Sequence, residues 1–205
     1  MKIRFVWLAV AALALAGCVE HQPFADDSAV EAARYSDPEN PSLTLFTMVN
    51  NRTGKGGHSA LLINASERVI FDPAGSFYAD MVPERNDVLF GISPRIEQAY
   101  RSAHARKTFR VVRQTIPVTS SQAETAYQLA LKRGPVPGAF CASATSDVLG
   151  QVPGLDAIRS TLYPIKLQEY FAALPGVETD TYYEGDSEDL QEGLAAGNTA
   201  LNSGE

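Results

Sequence analysis

Cysteine is nearly absent from this sequence: Cys18 and Cys141 are the only two in 205 residues. That scarcity excludes a disulfide-stapled scaffold, and with no HExxH and no paired-cysteine spacing the residues imply no metal and no cofactor. Histidine is scarce too, with only His21, His58 and His104. Basic charge is in deficit, 17 Lys and Arg against 24 Asp and Glu for a net of −7, so the footprint of a nucleic-acid binder is missing. No Lys or Arg follows Lys166, while residues 177–205 carry eight carboxylates. Uniform charge of this kind predicts a solvated, disordered tail. No internal repeat and no low-complexity block interrupts residues 42–176. Two glycine motifs are incomplete. Gly57-His58-Ser59-Ala60-Leu61 lacks the last glycine of a nucleophile elbow, and Gly54-Lys55-Gly56-Gly57 lacks the spacing of a phosphate loop.

A long hydrophobic run is also missing. The opening "MKIRFVWLAVAALALAGC" has a basic head, Lys2 and Arg4, and then about a dozen apolar residues, short of the ~20 that a spanning helix needs. It reads as a secretory signal over residues 1–17. Its end, Leu15-Ala16-Gly17-Cys18, resembles the bacterial lipobox. That resemblance implies cleavage before Cys18, lipid on its thiol and its amino group, and stable attachment to a membrane leaflet. Val19, in place of the aspartate that retains enteric lipoproteins in the inner membrane, points to the outer membrane facing the periplasm. Residues 18–41, polar and rich in Pro, Asp and Glu, are expected to be a lipid-anchored tether. A single domain is then expected over residues 42–176.

Inside that domain, "SLTLFTMVN" reads as a strand, and "HSALLI" and "RVIFD" as a hairpin turned at Asn64-Ala65-Ser66-Glu67. A helix opens at Pro94, "KTFRVVRQTIPV" alternates as a strand, and Ser121 with Glu124 forms a capping box for the next helix, which Gly134-Pro135 ends. Further helices run from Cys141 to Leu149 and over "PIKLQEYFAAL". The order predicts an α+β fold, a small antiparallel sheet packed against helices.

With Cys18 consumed by lipid, Cys141 is left without a partner in an oxidising compartment, so it is either a buried small hydrophobe or a nucleophile. The Pro/Gly run "GPVPGAF" forces its helix to begin within a residue or two of it. The amide groups and positive dipole end of a helix N-terminus favour thiolate over thiol. A working thiolate needs an imidazole. His21 lies in the tether and His104 in a surface-looking basic helix end, both expected to be solvated. His58 follows Gly56-Gly57 and opens an apolar strand, where it is either a catalytic base or a strand-edge residue. Asp72, ending the second strand of the hairpin, can face His58 and orient it, with Asn50, Asn51 and Asn64 as alternatives and a plain turn before Pro73 as another reading.

The set "GGHSALLI", "RVIFDPAG" and "FCASATSDVL" resembles the circularly permuted branch of the NlpC-type papain-fold hydrolases, which includes the lecithin retinol acyltransferase-like proteins. In that branch the histidine strand precedes the cysteine helix, as here, over residues 43 to 150. The resemblance implies a permuted papain-like fold and a thiol hydrolase or acyltransferase, with Cys141 as nucleophile, His58 as base then acid, and Asp72 orienting His58. It departs from the branch in a His58-to-Asp72 span about two residues longer than usual, and in Phe140 where relatives carry Asn or Tyr. The expected substrates are cell-wall peptide amides or lipid acyl groups, the peptides favoured because no hydrophobic stretch advertises lipid docking. The rival expectation is an envelope lipoprotein that uses the fold for binding or structure without catalysis.

Overall fold

The structure is a computed structural model that describes residues 24–185 and 187–203. The expected signal segment, residues 1–17, and Cys18 lie outside the described residues, and among these no helix is long and apolar enough to cross a membrane. The fold is α+β. Strand β1 (Ser42–Asn50) lies inside a seven-stranded antiparallel sheet, between β2 (Gly56–Asn64) and β6 (Phe109–Pro117). Beyond β2 come β3 (Arg68–Phe71) and a short hairpin of β5 (Val88–Leu89) and β4 (Glu84–Arg85); beyond β6 lies β7 (Glu178–Tyr182).

Six helices are described: α1 (Asp27–Ala33), α2 (Pro94–His104), α3 (Ser120–Arg133), α4 (Cys141–Leu149), α5 (Pro164–Ala172) and α6 (Leu190–Ser203). They cover both faces of the sheet, which explains why β1 reads as nearly continuous apolar residues. Because side chains alternate along a strand, Leu43, Leu45, Leu61, Ile63, Val69 and Phe71 fall on one face, packed with residues of α3, α4 and α5. Phe46, Met48, Ala60, Leu62 and Ile70 fall on the other, with Tyr100 of α2 and Leu194 and Leu201 of α6.

Three expectations need correction. The capping box of α3 is Thr119 with Gln122, two residues earlier than Ser121 with Glu124; Gln122 N donates to the Thr119 hydroxyl at 3.2 Å and Thr119 N to Gln122 Oε1 at 2.9 Å. Glu124 faces outward and accepts from Gln128. Second, the described part of residues 177–205 is not a disordered tail: β7 pairs with β6 from Thr115↔Glu178 to Val111↔Tyr182, and α6 docks on α2. Glu178, Asp180, Glu188, Asp189 and Glu192 are exposed, while Leu194 and Leu201 form an apolar stripe at helical spacing that is buried. Asn198 and Asn202 donate to the Asp80 carboxylate at 2.9 and 3.1 Å, fixing the helix. Net charge is blind to such a stripe. Third, the described part of the tether lies on the domain: Arg68 N donates to Tyr35 O at 2.8 Å, Asn64 to the carbonyls of Asp37 and Asn40, and Val118 N to Pro41 O.

Candidate active site

Cys141 is the first residue of α4. The preceding loop turns through Ala139 at φ 71°, a left-handed conformation costly for a residue with a Cβ, and Phe140 caps the helix with no side-chain bond. The first amides of α4 therefore lack a side-chain acceptor. The backbone N–H groups of Ala142 and Ser59 and the His58 side chain lie close enough to the Cys141 sulfur to stabilise its thiolate. It is 6% exposed.

His58 stands where β2 begins, at an irregularity in the β1 ladder: Met48 pairs with His58 but Val49 with Gly56. On the other side Leu61 pairs with Phe71, so Asp72, one residue past β3, extends the face that carries His58, Ala60 and Leu62. The His58 Nε2–Asp72 Oδ1 distance is 2.7 Å. This occupies Nε2 and leaves Nδ1 as the nitrogen for the cysteine. Asp72 also makes a turn, accepting Gly75 N at 2.9 Å, and a Cβ on Gly75 would collide with its carboxylate. Cys141, His58 and Asp72, selected from sequence, thus meet at one end of the sheet. The three asparagines do not join them. Asn50 Oδ1 caps its own loop through the amides of Arg52 and Thr53, Asn51 donates to Lys107 O, and Asn64 holds the segment at Asp37 and Asn40.

Charge moves through this group in a consistent direction. Burial by itself would push the His58 imidazole down, but the charge and hydrogen bond of Asp72, aided by Cys141, lift it to about 10. Burial would raise Asp72, yet the His58 charge and bond, with smaller help from His104 and Tyr100, hold it below the usual carboxylate range. Burial would likewise raise the Cys141 thiol; the bond and charge of His58, then the two backbone amides, bring it below its ordinary value. These directions favour a thiolate and imidazolium pair backed by a carboxylate.

Three residues of this neighbourhood escaped the sequence reading. Tyr100, fully buried on α2, donates its hydroxyl to the same Asp72 Oδ1 at 2.7 Å. Its inward face was legible from the spacing of Ile96, Tyr100 and Ala103, but not the carboxylate beneath it. His104 is not solvated. Its ring lies parallel to His58 with centroids 6.0 Å apart and packs on Tyr100 at 4.3 Å, and burial lowers its pKa. Asp87, buried in the tight turn between β4 and β5 at φ 64°, ties both halves of the site together. Its Oδ2 accepts Ala74 N at 3.0 Å, beside Asp72, and Val136 N at 3.1 Å, in the loop that launches α4; its carbonyl accepts Asp72 N at 2.8 Å. An Asn86-Asp87 pair is a turn signal, and that masked its second use.

Among the described residues no group of three or more His, Cys, Asp or Glu side chains is arranged to hold a metal. Comparisons of the chain with known protein families, with curated proteins and with solved structures find no match, so the chemistry must be argued from this geometry.

Proposed function

We propose that the protein is a cysteine hydrolase of permuted papain-like fold, acting on peptide amides of the cell wall and tethered by lipid on Cys18 to the outer membrane, facing the periplasm. The observation that carries the reading is His58 bonded to Asp72 at 2.7 Å and stabilising the thiolate of a cysteine at a helix N-terminus. The histidine strand precedes the cysteine helix in a sheet-and-helix fold, the order of that permuted branch, and this supports the family reading.

In the proposed reaction the Cys141 thiolate attacks the carbonyl carbon, and the oxyanion is received by amides at the start of α4. His58 gives its proton to the departing amine as the C–N bond breaks, leaving an acyl thioester on Cys141. The now neutral His58 takes a proton from water, whose oxygen attacks the thioester carbon; the acid leaves and the thiolate returns. Asp72 holds the His58 ring in place and stabilises its charge. A lipid acyl group carried on the same cysteine would make the protein an acyl hydrolase or acyltransferase. The near-complete burial of Cys141 favours a second reading, a non-catalytic envelope module.

Iodoacetamide labelling across pH separates them. Catalysis requires labelling of Cys141 with an apparent pKa well below the ~8.5 of a free thiol, shifted back up in His58→Ala; an inert or ordinary thiol in the wild type defeats it. Radiolabelled palmitate incorporated in a bacterial host, and lost in Cys18→Ala, is the result expected for the anchor.

A further inference from the structure

A proton donor to the departing group must stand beside that group, so in the proposed reaction the leaving half of the substrate lies along His58 while the acyl half lies over Cys141. A cavity of about 290 Å³ adjoins His58; His104, Met48, Ala103, Phe109 and Leu190 contribute to its walls, and Cys141 does not. An engineered apolar cavity of about 150 Å³ in another protein accepts benzene, so this volume holds a bulky side chain. One nitrogen of the lining residue His104 is chemically unspent. His104 Nδ1 lies 2.8 Å from the Tyr100 carbonyl and must donate to it, so in the neutral ring Nε2 is an acceptor. That nitrogen is buried with no hydrogen-bond partner, a rare condition that calls for a ligand donor.

We propose that this cavity is the leaving-group subsite, taking an apolar side chain on the amine side of the scissile amide, with His104 Nε2 accepting an N–H from the departing chain. The inference rests on Cys141 being the nucleophile. It follows that an amine entering the same pocket can replace water in resolving the acyl-enzyme: the amine nitrogen forms a C–N bond to the acyl carbon, the C–S bond breaks, the amine proton passes to His58, and Cys141 departs as thiolate.

The test uses the full chain acetylated by p-nitrophenyl acetate, with leucinamide or glycinamide as acceptor, following p-nitrophenolate release and the N-acetyl amide formed. Leucinamide should half-saturate at a concentration at least about tenfold lower than glycinamide. Leu190→Trp, which fills the cavity, should abolish that advantage. Equal half-saturation of the two amides in the wild type overturns the subsite without any variant having to fold, and so does a leucinamide advantage that survives Leu190→Trp. Absence of both the p-nitrophenolate burst and acetyl-Cys141 by mass spectrometry overturns the nucleophile itself, and the subsite with it; a burst without amine selectivity removes only the subsite.

Discussion

On one face of the central sheet, α4 packs Ala142, Ala144, Val148 and Leu149 into an aliphatic core, and Cys141 at its tip receives backbone amides and one imidazole. On the other face, His58 and Asp72 are held through side chains: Tyr100 bonds to Asp72, His104 lies parallel to His58, and Phe77 packs on Tyr100 at 5.2 Å. Cys141 is thus placed by main-chain geometry, and His58 and Asp72 by a polar and aromatic lattice. Backbone placement tolerates changes in side-chain chemistry so long as the loop is kept, whereas a side-chain lattice fails when a single oxygen is lost. Each half can be perturbed separately.

The largest effect is expected on the lattice side. Asp72→Asn keeps the shape but removes the charge that lifts His58, so the thiol rises and Cys141 labelling at pH 7 should fall about a hundredfold or more. Tyr100→Phe leaves the carboxylate charged. It should slow labelling far less while costing about 1.5–3 kcal/mol in urea unfolding, as befits a hydrogen bond to a charged group. A Tyr100→Phe loss of labelling equal to that of Asp72→Asn would show that the lattice acts as one unit.

Asp87 spans the two halves, and breaking it tests whether they are independent. Asp87→Ala strands the amides of Ala74 and Val136, at about 1–3 kcal/mol each, and should slow labelling several-fold. Asp87→Asn retains an acceptor oxygen and tolerates positive φ, so it should recover most of both losses. Recovery of stability without recovery of labelling would mean that charge, not tethering, is the residue's contribution.

The pair itself is read by the pH dependence of unfolding. A pKa raised to about 10 means that the His58 contribution to stability is complete below pH 6.5 and is lost as pH rises through about 10. The lowered Cys141 pKa acts with opposite sign, adding stability as pH rises from its folded value to its unfolded one and nothing more above it. Above about pH 9 the falling limb reports His58 together with tyrosines whose pKa burial raises, Tyr100 and Tyr127 among them, so His58→Gln should lessen the fall of the melting temperature between pH 9 and 10.5 without abolishing it. The smallest effect belongs to the loop before α4. Ala139→Gly should relieve the left-handed residue, leaving about 0.5–1 kcal/mol of added stability after the greater freedom of glycine in the unfolded chain is counted. Labelling should be nearly unchanged, which would confirm that the loop's path rather than its strain sets the position of Cys141.

Cys141, His58 and Asp72 were legible because each sits at an element boundary that local chemistry marks: a Pro/Gly run, a glycine pair and a turn before proline. Period-two alternation then put His58 and Asp72 on one face without knowledge of the rest. The capping box was misplaced by two residues because Ser, Thr, Gln and Glu recur there and only the backbone selects among them. Tyr100, His104 and Asp87 were hidden for a different reason. Local spacing tells which residues point inward but not what lies opposite: Tyr100 meets Asp72 28 residues away, His104 lies beside His58 46 away, and Asp87 accepts from Val136 49 away. The final segment was misjudged because eight carboxylates dominate its composition while two leucines and two asparagines decide its docking.

By itself the sequence determined the α+β class, the ends of the principal strands and helices, and the start of α4 at the cysteine, since propensity, periodicity and Pro/Gly punctuation act over a few residues. Tertiary structure alone decided that a tyrosine hydroxyl shares the Asp72 oxygen with His58, that Asp87 joins the two loops, and that an acidic segment becomes the last strand and helix. Those outcomes depend on which surfaces remain to be buried once the sheet has formed, a quantity set by the whole chain and by no stretch of it.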